Sequence, residues 1–200
     1  MSKLLYLDNA ATTPLLPEVR KVMINYMVDN FGNPSSIYKI GRMNKIAVEE
    51  ARKSIAETIG ACPDDIFFTS GGTESDNWVL ESAAESATES DSAHIIVSAI
   101  EHPAVINKCI QLKKRGCDVD YIKTDKNGII NTDDLISKIR DDTKLISVML
   151  VNNEIGTIQP VKNVCNIAAE YAIPVHTDAV AAYGHIPVNV KELGVDYLSV

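Results

Sequence analysis

The stretch that decides the fold is TSGGTESDN, residues 69–77, which combines a glycine turn with the start of a helix. The preceding run IFFT, residues 66–69, is β-branched and aromatic and predicts a buried strand. A helix is predicted over residues 74–84. Gly71 and Gly72 let the backbone turn sharply and approach a ligand closely, because no Cβ stands in the way. The segment therefore predicts a strand, a tight turn and a helix in succession.

The start of this helix is a candidate anion site. Thr73 is predicted to cap the helix, and the acids Glu74 and Asp76 follow it. Free backbone N–H groups and the positive end of the helix dipole favour an anion such as phosphate. The turn has neither the lysine of a P-loop nor the third glycine of a dinucleotide fingerprint. Taken alone, it is more often a plain helix start, and phosphate binding is the alternative.

Apolar runs alternate with helical patterns along most of the chain. Helices are predicted at residues 17–28, 39–60, 103–115, 132–140 (capped by Thr132) and 160–171. Strands are predicted at residues 94–99, 119–123, 145–151, 174–177 and 197–200. The acidic stretch of residues 81–93 is predicted to be a helix end and an exposed connection. This alternation indicates an α/β domain with a mainly parallel sheet flanked by helices.

The composition excludes several classes of protein. The 200 residues carry a formal net charge of −8 without a basic cluster, which argues against nucleic acid or an anionic membrane as a partner. No apolar span approaches the length of a membrane helix. The four cysteines are widely spaced, so we expect reduced thiols of a cytoplasmic protein rather than a metal site.

Polar residues follow several of the predicted strands. In open α/β sheets, ligands gather at the carboxyl ends of the strands. The glycine turn, His102, the pair Asn152 and Asn153, and Asp178 all occupy such positions. Each has a structural explanation: His102 as a turn residue, the asparagines as Asx turns, and Asp178 as a helix cap. Their convergence on one edge of the sheet favours a binding site.

Six motifs in this order resemble those of the cysteine desulfurases, in the class V aminotransferase group. They are LYLDNAATTP (5–14), FGNPSS (31–36), TSGGTESDN (69–77), EH (101–102), VNNEIGTIQP (151–160) and HTDAV (176–180). The resemblance implies the aspartate-aminotransferase-like fold (fold type I), a homodimer and a pyridoxal 5'-phosphate cofactor. It also implies conversion of L-cysteine to L-alanine, with the sulfur passed as a persulfide to an iron–sulfur scaffold or another sulfur-acceptor protein, in cluster assembly or nitrogenase maturation.

The resemblance also implies a role for each matching residue. Gly72 and Thr73 hold the cofactor phosphate. His102 stacks on the cofactor ring and is the candidate catalytic residue. Asp178 faces the ring nitrogen and keeps it protonated, so that the ring can act as an electron sink. Asn153 lies near the phenolic oxygen of the ring and the substrate.

The resemblance further implies how the chain divides. Residues 1–15 are expected near the substrate entrance, and residues 16–200 are expected to form an incomplete, truncated cofactor-binding large domain without the C-terminal small domain. The Schiff-base lysine and the persulfide cysteine of the family are expected beyond Val200. We therefore expect this chain to be a fragment that is inactive alone and that binds pyridoxal phosphate weakly or not at all, whereas the complete enzyme is expected to bind it.

One position departs from the family pattern. The family has glutamine three residues after the aspartate, where this chain has Ala181. The lost hydrogen bond to a charged oxygen costs about 1.5–3 kcal/mol of cofactor stabilisation. Two alternatives therefore stay open: a non-catalytic paralogue that acts as a cofactor-binding or dimerisation module, and another class V enzyme such as a selenocysteine lyase.

Overall fold

The computed structural model describes residues 5–86 and 93–200, which divide into two compact units. One unit runs up to Ile66 and the other from Phe67 onward. Residues 87–92, within the predicted acidic connection, lie outside the described residues. In the part of the chain that is described, no helix is both long enough and apolar enough to cross a membrane.

The first unit contains helices α1 (Pro17–Val28) and α2 (Lys39–Ile59) and a short 3-10 turn (Pro63–Asp65). Proline stands in the first turn of α1, where its missing N–H costs no hydrogen bond. Helix α2 ends at Gly60, whose φ of 72° is the left-handed conformation that glycine adopts without strain. Both helices confirm the sequence prediction.

The second unit is built around five parallel strands in the order β2-β1-β3-β4-β5. The strands are β1 (His94–Ser98), β2 (Asp118–Ile122), β3 (Thr143–Ser147), β4 (Val175–Asp178) and β5 (Tyr197–Ser199). The helices are α3 (Gly72–Glu85), α4 (Pro103–Lys114), α5 (Thr132–Lys138), α6 (Val161–Glu170) and α7 (Val190–Leu193). The predicted α/β architecture with a parallel sheet flanked by helices is confirmed.

The core of this unit lies between the sheet and helices α3 and α4. Ile95 and Val97 of β1 are fully buried against Leu80 of α3 and against Cys109 and Leu112 of α4. Every residue of β1 is buried, as expected for a central strand covered on both faces. The strand order reverses between β1 and β3, which is where ligands bind in open parallel sheets.

The prediction of a buried strand at residues 66–69 is wrong. These residues are not part of the five-stranded sheet, and Phe67 and Phe68 are 68% and 51% exposed. The Phe67 ring instead meets Trp78 of α3 edge to face, with ring centroids 5.9 Å apart. Aromatic and β-branched residues only favour extended backbone, and a strand forms where a neighbouring strand pairs with it.

Two predicted helix caps are also wrong, each by one or two residues. Helix α3 has Gly71 as its N-cap, and Thr73 lies inside the first turn without a capping hydrogen bond. Helix α5 is capped by Asn131 rather than Thr132, because the Asn131 side chain accepts hydrogen bonds from two backbone N–H groups of the first turn. The strand predicted at residues 145–151 is confirmed in place, but β3 ends at Ser147.

Candidate active site

The glycine turn before α3 forms an open cradle at the rim of the sheet. Gly71 has a φ of +152°, which side chains rarely allow, and nothing lies within 4 Å of the position that a Cβ would take there. A Cβ on Gly72 would meet the Cγ2 methyl of Val180 at 2.5 Å. The first turn of α3 is therefore in close contact with the segment that follows β4.

The backbone amides of this turn are arranged to receive an anion. The N–H groups of Glu74 and Ser75 both donate to the Gly71 carbonyl, whereas those of Gly72 and Thr73 have no partner among the described residues. The Ser70 amide is already occupied, because it donates to Glu74 Oε2 at 2.6 Å and lowers the pKa of that carboxyl. Two unpaired amides at a helix N-terminus are a suitable site for a phosphate.

His102 lies in the loop after β1 and caps helix α4. Its Nδ1 atom accepts a hydrogen bond from the Ala104 N–H at 3.1 Å, so the neutral ring carries its proton on Nε2. The structural explanation of His102 as a helix-start residue is thus confirmed. His102 is half-buried, and a charge on its ring would lower the pKa of Asp178.

Asp178 is the last residue of β4 and is 5% exposed. Its Oδ1 atom accepts a hydrogen bond from the Val180 N–H at 2.9 Å. Burial raises the pKa of Asp178, while the Val180 amide and the charge of His102 oppose that rise. Val180 is the residue that touches Gly72, so a single short turn connects the carboxylate to the anion cradle. Ala181, also half-buried, follows in the same turn.

The two asparagines after β3 have different environments. Asn152 is buried, and its Oδ1 accepts from the N–H groups of Glu154 and Ile155 at 3.0 Å each. Its Nδ2 donates to the Ile100 carbonyl at 2.9 Å, which ties this turn to the loop after β1. The predicted Asx turn is confirmed for Asn152. Asn153 is half-buried, and within the described residues its side-chain amide donates only to the neighbouring Glu154, at 3.2 Å.

Three further polar residues lie beneath the rim and were missed as site residues by the sequence analysis. Asp76 of α3 is 1% exposed, Glu101 before His102 is 7% exposed, and His176 of β4 is fully buried. Asp76 was expected as an acid near the start of the helix. It lies four residues before the buried Leu80, and this helical spacing places both on the inward face. That pattern is the sequence signal that could have identified it.

The predicted site residues thus lie on loops and strand ends of one compact unit. The contact of Gly72 with Val180 and the charge interaction of His102 with Asp178 connect three of these segments. The rim offers two unpaired backbone N–H groups for an anion and a carboxylate for a cationic group. It also offers the imidazole of His102. Such an arrangement can bind and orient a flat, anionic, nitrogen-containing ring. Thr73 and Asn153 follow the same turns, and the cofactor-binding and catalytic roles of all the predicted site residues stay predictions.

Comparison with known proteins gives one family. The sequence profile of the aminotransferase class-V family matches residues 5–200. Cysteine desulfurase IscS of Methanosarcina thermophila is 52% identical over 99% of this chain and 49% of that protein, and the IscS of Dictyoglomus turgidum is 51% identical over 100% and 50%. This chain spans about half the length of both relatives.

Solved structures with a similar fold agree with this family assignment. A structure described as SspA in complex with cysteine superposes with a TM-score of 0.93 at 37% identity, over 97% of this chain and 56% of that chain. A NifS-like protein superposes with a TM-score of 0.91 at 39% identity, over 96% and 53%. With a family profile that matches nearly every residue and a fold shared with these structures, the chain belongs to the class-V aminotransferase family.

Proposed function

We propose that this chain forms the cofactor-binding half of a cysteine desulfurase. The activity proposed for the whole protein is conversion of L-cysteine to L-alanine, with transfer of the sulfur as persulfide to an acceptor such as an iron–sulfur scaffold. The single observation that carries the proposal is the rim itself: the glycine cradle, His102 and Asp178 in one class-V aminotransferase fold. The complex of SspA with cysteine supports L-cysteine as the substrate class.

Membership of this family implies pyridoxal phosphate, and the residues of the rim fit it. The unpaired amides of Gly72 and Thr73 suit its phosphate, and Asp178 suits a protonated ring nitrogen. When bound, the cofactor supplies an electron sink for the substrate. His102 is held by its cap to α4 and can hold a proton on Nε2. Asn153 keeps an amide available for the substrate or the ring oxygen.

The finer parts of this proposal concern partners and organisation. We propose that the protein works as a homodimer, in line with the family resemblance, and that residues 1–15 line the substrate entrance of a cofactor domain spanning residues 16–200. A cytoplasmic location stays a prediction, and the relatives include a mitochondrial cysteine desulfurase of Candida maltosa.

Cofactor binding tests the proposal directly. Trp78, the single tryptophan, lies on α3 close to the cradle, and its fluorescence should change when pyridoxal phosphate binds. Pyridoxal without the phosphate should bind more weakly. Asp178→Asn removes a charged partner of the ring and should weaken binding by about 10- to 100-fold, the equivalent of about 1.5–3 kcal/mol.

The matched control is Asp141→Asn, an exposed acid just before β3 and hence at the opposite end of the strands. It should leave binding unchanged. Equal affinity for pyridoxal and pyridoxal phosphate, together with no effect of Asp178→Asn, would refute the cofactor site. The activity is tested with a polypeptide of the family's full length that carries this sequence. This polypeptide should form alanine from L-cysteine, and the absence of alanine contradicts the proposal.

Ala181 favours a second candidate, a non-catalytic paralogue that binds the cofactor weakly. Its methyl group cannot donate the hydrogen bond that the family's glutamine makes. Ala181→Gln should therefore raise the affinity for pyridoxal phosphate by about 10-fold or more if the site is built as in the family. A full-length protein that gains activity only with Ala181→Gln is the result expected for the paralogue.

A further inference from the structure

Three carboxyl groups are buried together beneath the rim. Asp76, Glu101 and Asp178 are each at most 7% exposed and come from α3, the loop after β1 and the end of β4. The charge of Asp178 raises the pKa of both Asp76 and Glu101, so the three belong to one electrostatic cluster. The ion pairs of the described residues include none that joins these carboxyls to a lysine or arginine.

The buried imidazole in this cluster does not supply the missing positive charge. Both ring nitrogens of His176 face hydroxyl groups, Nδ1 with Ser147 Oγ at 2.9 Å and Nε2 with Ser199 Oγ at 3.0 Å. Hydroxyls can donate or accept, so a neutral ring is fully satisfied there. Burial lowers the pKa of His176 to about 4. The 3.6 Å approach of Nε2 to Asp76 Oδ1 is therefore not an ion pair at neutral pH.

The hydrogen bonds of Asp76 and Glu101 leave one oxygen of each without a partner. Glu101 Oε1 accepts from the Ser98 hydroxyl and from the Met149 N–H, the latter at 2.7 Å, whereas Oε2 has none among the described residues. Asp76 Oδ1 is likewise buried without a hydrogen bond. An ionised carboxylate would place an unsolvated negative oxygen at each position, which is far more costly than a neutral acid.

Asp178 differs from the other two. It has no buried oxygen of this kind among the described residues, and its Oδ1 accepts from the Val180 amide, a hydrogen bond that favours its ionised form. Like charges held close together in a buried site do not all ionise, and the best-stabilised one keeps the charge. Burial raises the pKa of Asp76 to about 7 and that of Glu101 to about 8, with the hydrogen bonds from Ser199, Ser98 and Met149 opposing these rises.

We propose that this cluster holds one negative charge, on Asp178, and that Asp76 and Glu101 are neutral carboxylic acids. In residues 5–86 and 93–200, no group of three acidic, histidine or cysteine side chains is arranged to hold a metal ion.

The neutral state of Asp76 has a consequence for the anion cradle. Asp76 lies four residues after Gly72 on the same helix, so an ionised Asp76 would oppose the positive end of α3. Its protonated form leaves the Gly72 and Thr73 amides able to attract an anion. This consequence for anion binding rests on the proposed function. The charge of the three carboxyls does not depend on that function and can be measured without cofactor.

Infrared spectroscopy of the full, cofactor-free chain tests the proposal. Below the Asp76 pKa of about 7, the C=O stretch of protonated carboxylic acids should be present. Asp76→Asn should remove one part of it and Glu101→Gln the other. Asp178→Asn should leave both parts in place but move their loss on titration to lower pH, because the charge of Asp178 raises the pKa of Asp76 and Glu101. An unchanged signal in both Asp76→Asn and Glu101→Gln, or a signal in Asp178→Asn that persists to higher pH than in the wild type, overturns the proposal. The unaltered chain gives a check that needs no variant: its signal should vanish as the pH rises past about 8.

Urea unfolding at several pH values supplies an independent measurement. A raised pKa means that the folded state holds the proton more tightly, so the wild-type stability falls as the pH rises from 3.8 to about 7 through Asp76. Asp76→Asn should reduce this fall. A fall as steep as that of the wild type contradicts the proposal. If these tests succeed and pyridoxal phosphate does not bind, the charge assignment stands and the cofactor site fails.

Discussion

The contact between Gly72 and Val180 predicts that the glycine turn before α3 and the turn after Asp178 are closely packed against each other. A Cβ at Gly72 would lie 2.5 Å from Val180 Cγ2, 3.7 Å from its Cβ and 3.9 Å from Cγ1. The branched end of Val180 therefore faces the added methyl, and a β-branched side chain has few rotamers in which to avoid it. Gly72→Ala should force a shift of this turn.

The expected magnitude combines two opposing effects. Overpacking by one methyl group costs about 1–3 kcal/mol of folding free energy. Alanine restricts the unfolded chain and returns about 0.4–1 kcal/mol, because Gly72 does not require a positive φ. We therefore expect Gly72→Ala to lower the free energy of unfolding by about 1–2 kcal/mol.

The control is the double variant Gly72→Ala with Val180→Ala. Val180 is 49% exposed, so Val180→Ala alone should change stability little. The double variant should recover most of the loss, giving a coupling energy of about 1 kcal/mol or more. Urea unfolding followed by Trp78 fluorescence measures all four proteins, with constant m values as a check. Additive effects of the two substitutions, or full stability of Gly72→Ala, would refute the packing argument.

Three further predictions concern capping, charge and thiol access. Asn131→Ala should destabilise the protein by about 0.5–2 kcal/mol in urea unfolding because it removes the cap of α5, whereas Thr132→Ala should have little effect, and the reverse order would contradict the observed cap. Glu81 binds basic side chains of α4 and of the residue after it, which lower its pKa, so Glu81→Gln should cost about 0.5–1 kcal/mol at neutral pH. That difference should shrink in urea unfolding as the pH falls below 4.5 and through the lowered pKa of Glu81, because protonation then progressively removes the ion pair, and a constant difference would argue against the ion pair. A thiol reagent should label the exposed Cys62 quickly and Cys109 only on unfolding, since burial raises the pKa of Cys109 to about 12, and equal rates would disprove its burial.

Local features of the chain could be predicted because their causes lie within a few residues. Pro17 begins a helix and Gly60 ends one, as the pattern predicted, since a missing N–H and a left-handed backbone act locally. The parallel sheet followed from the alternation of elements. His102 and Asp178 could then be assigned to one rim, because all strands of a parallel sheet end on the same side.

The wrong predictions have causes that lie beyond the local sequence. Residues 66–69 have strand propensity but no place in the sheet. Thr73 and Thr132 are good capping residues, but the residue with non-helical backbone is Gly71 in one case and Asn131 in the other. Which residue takes that conformation depends on how the preceding segment approaches the helix.

By itself, the sequence determined the α/β class and the family and predicted the residues of the candidate cofactor site, because these depend on periodicity and on motifs read along the chain. The tertiary structure alone decided which carboxyls are charged. Asp76, Glu101 and Asp178 come from three separate elements, and only packing shows that all three are buried without a lysine or arginine partner among the described residues. Their charge follows from removal of water by the whole fold, an effect that no short stretch of sequence contains.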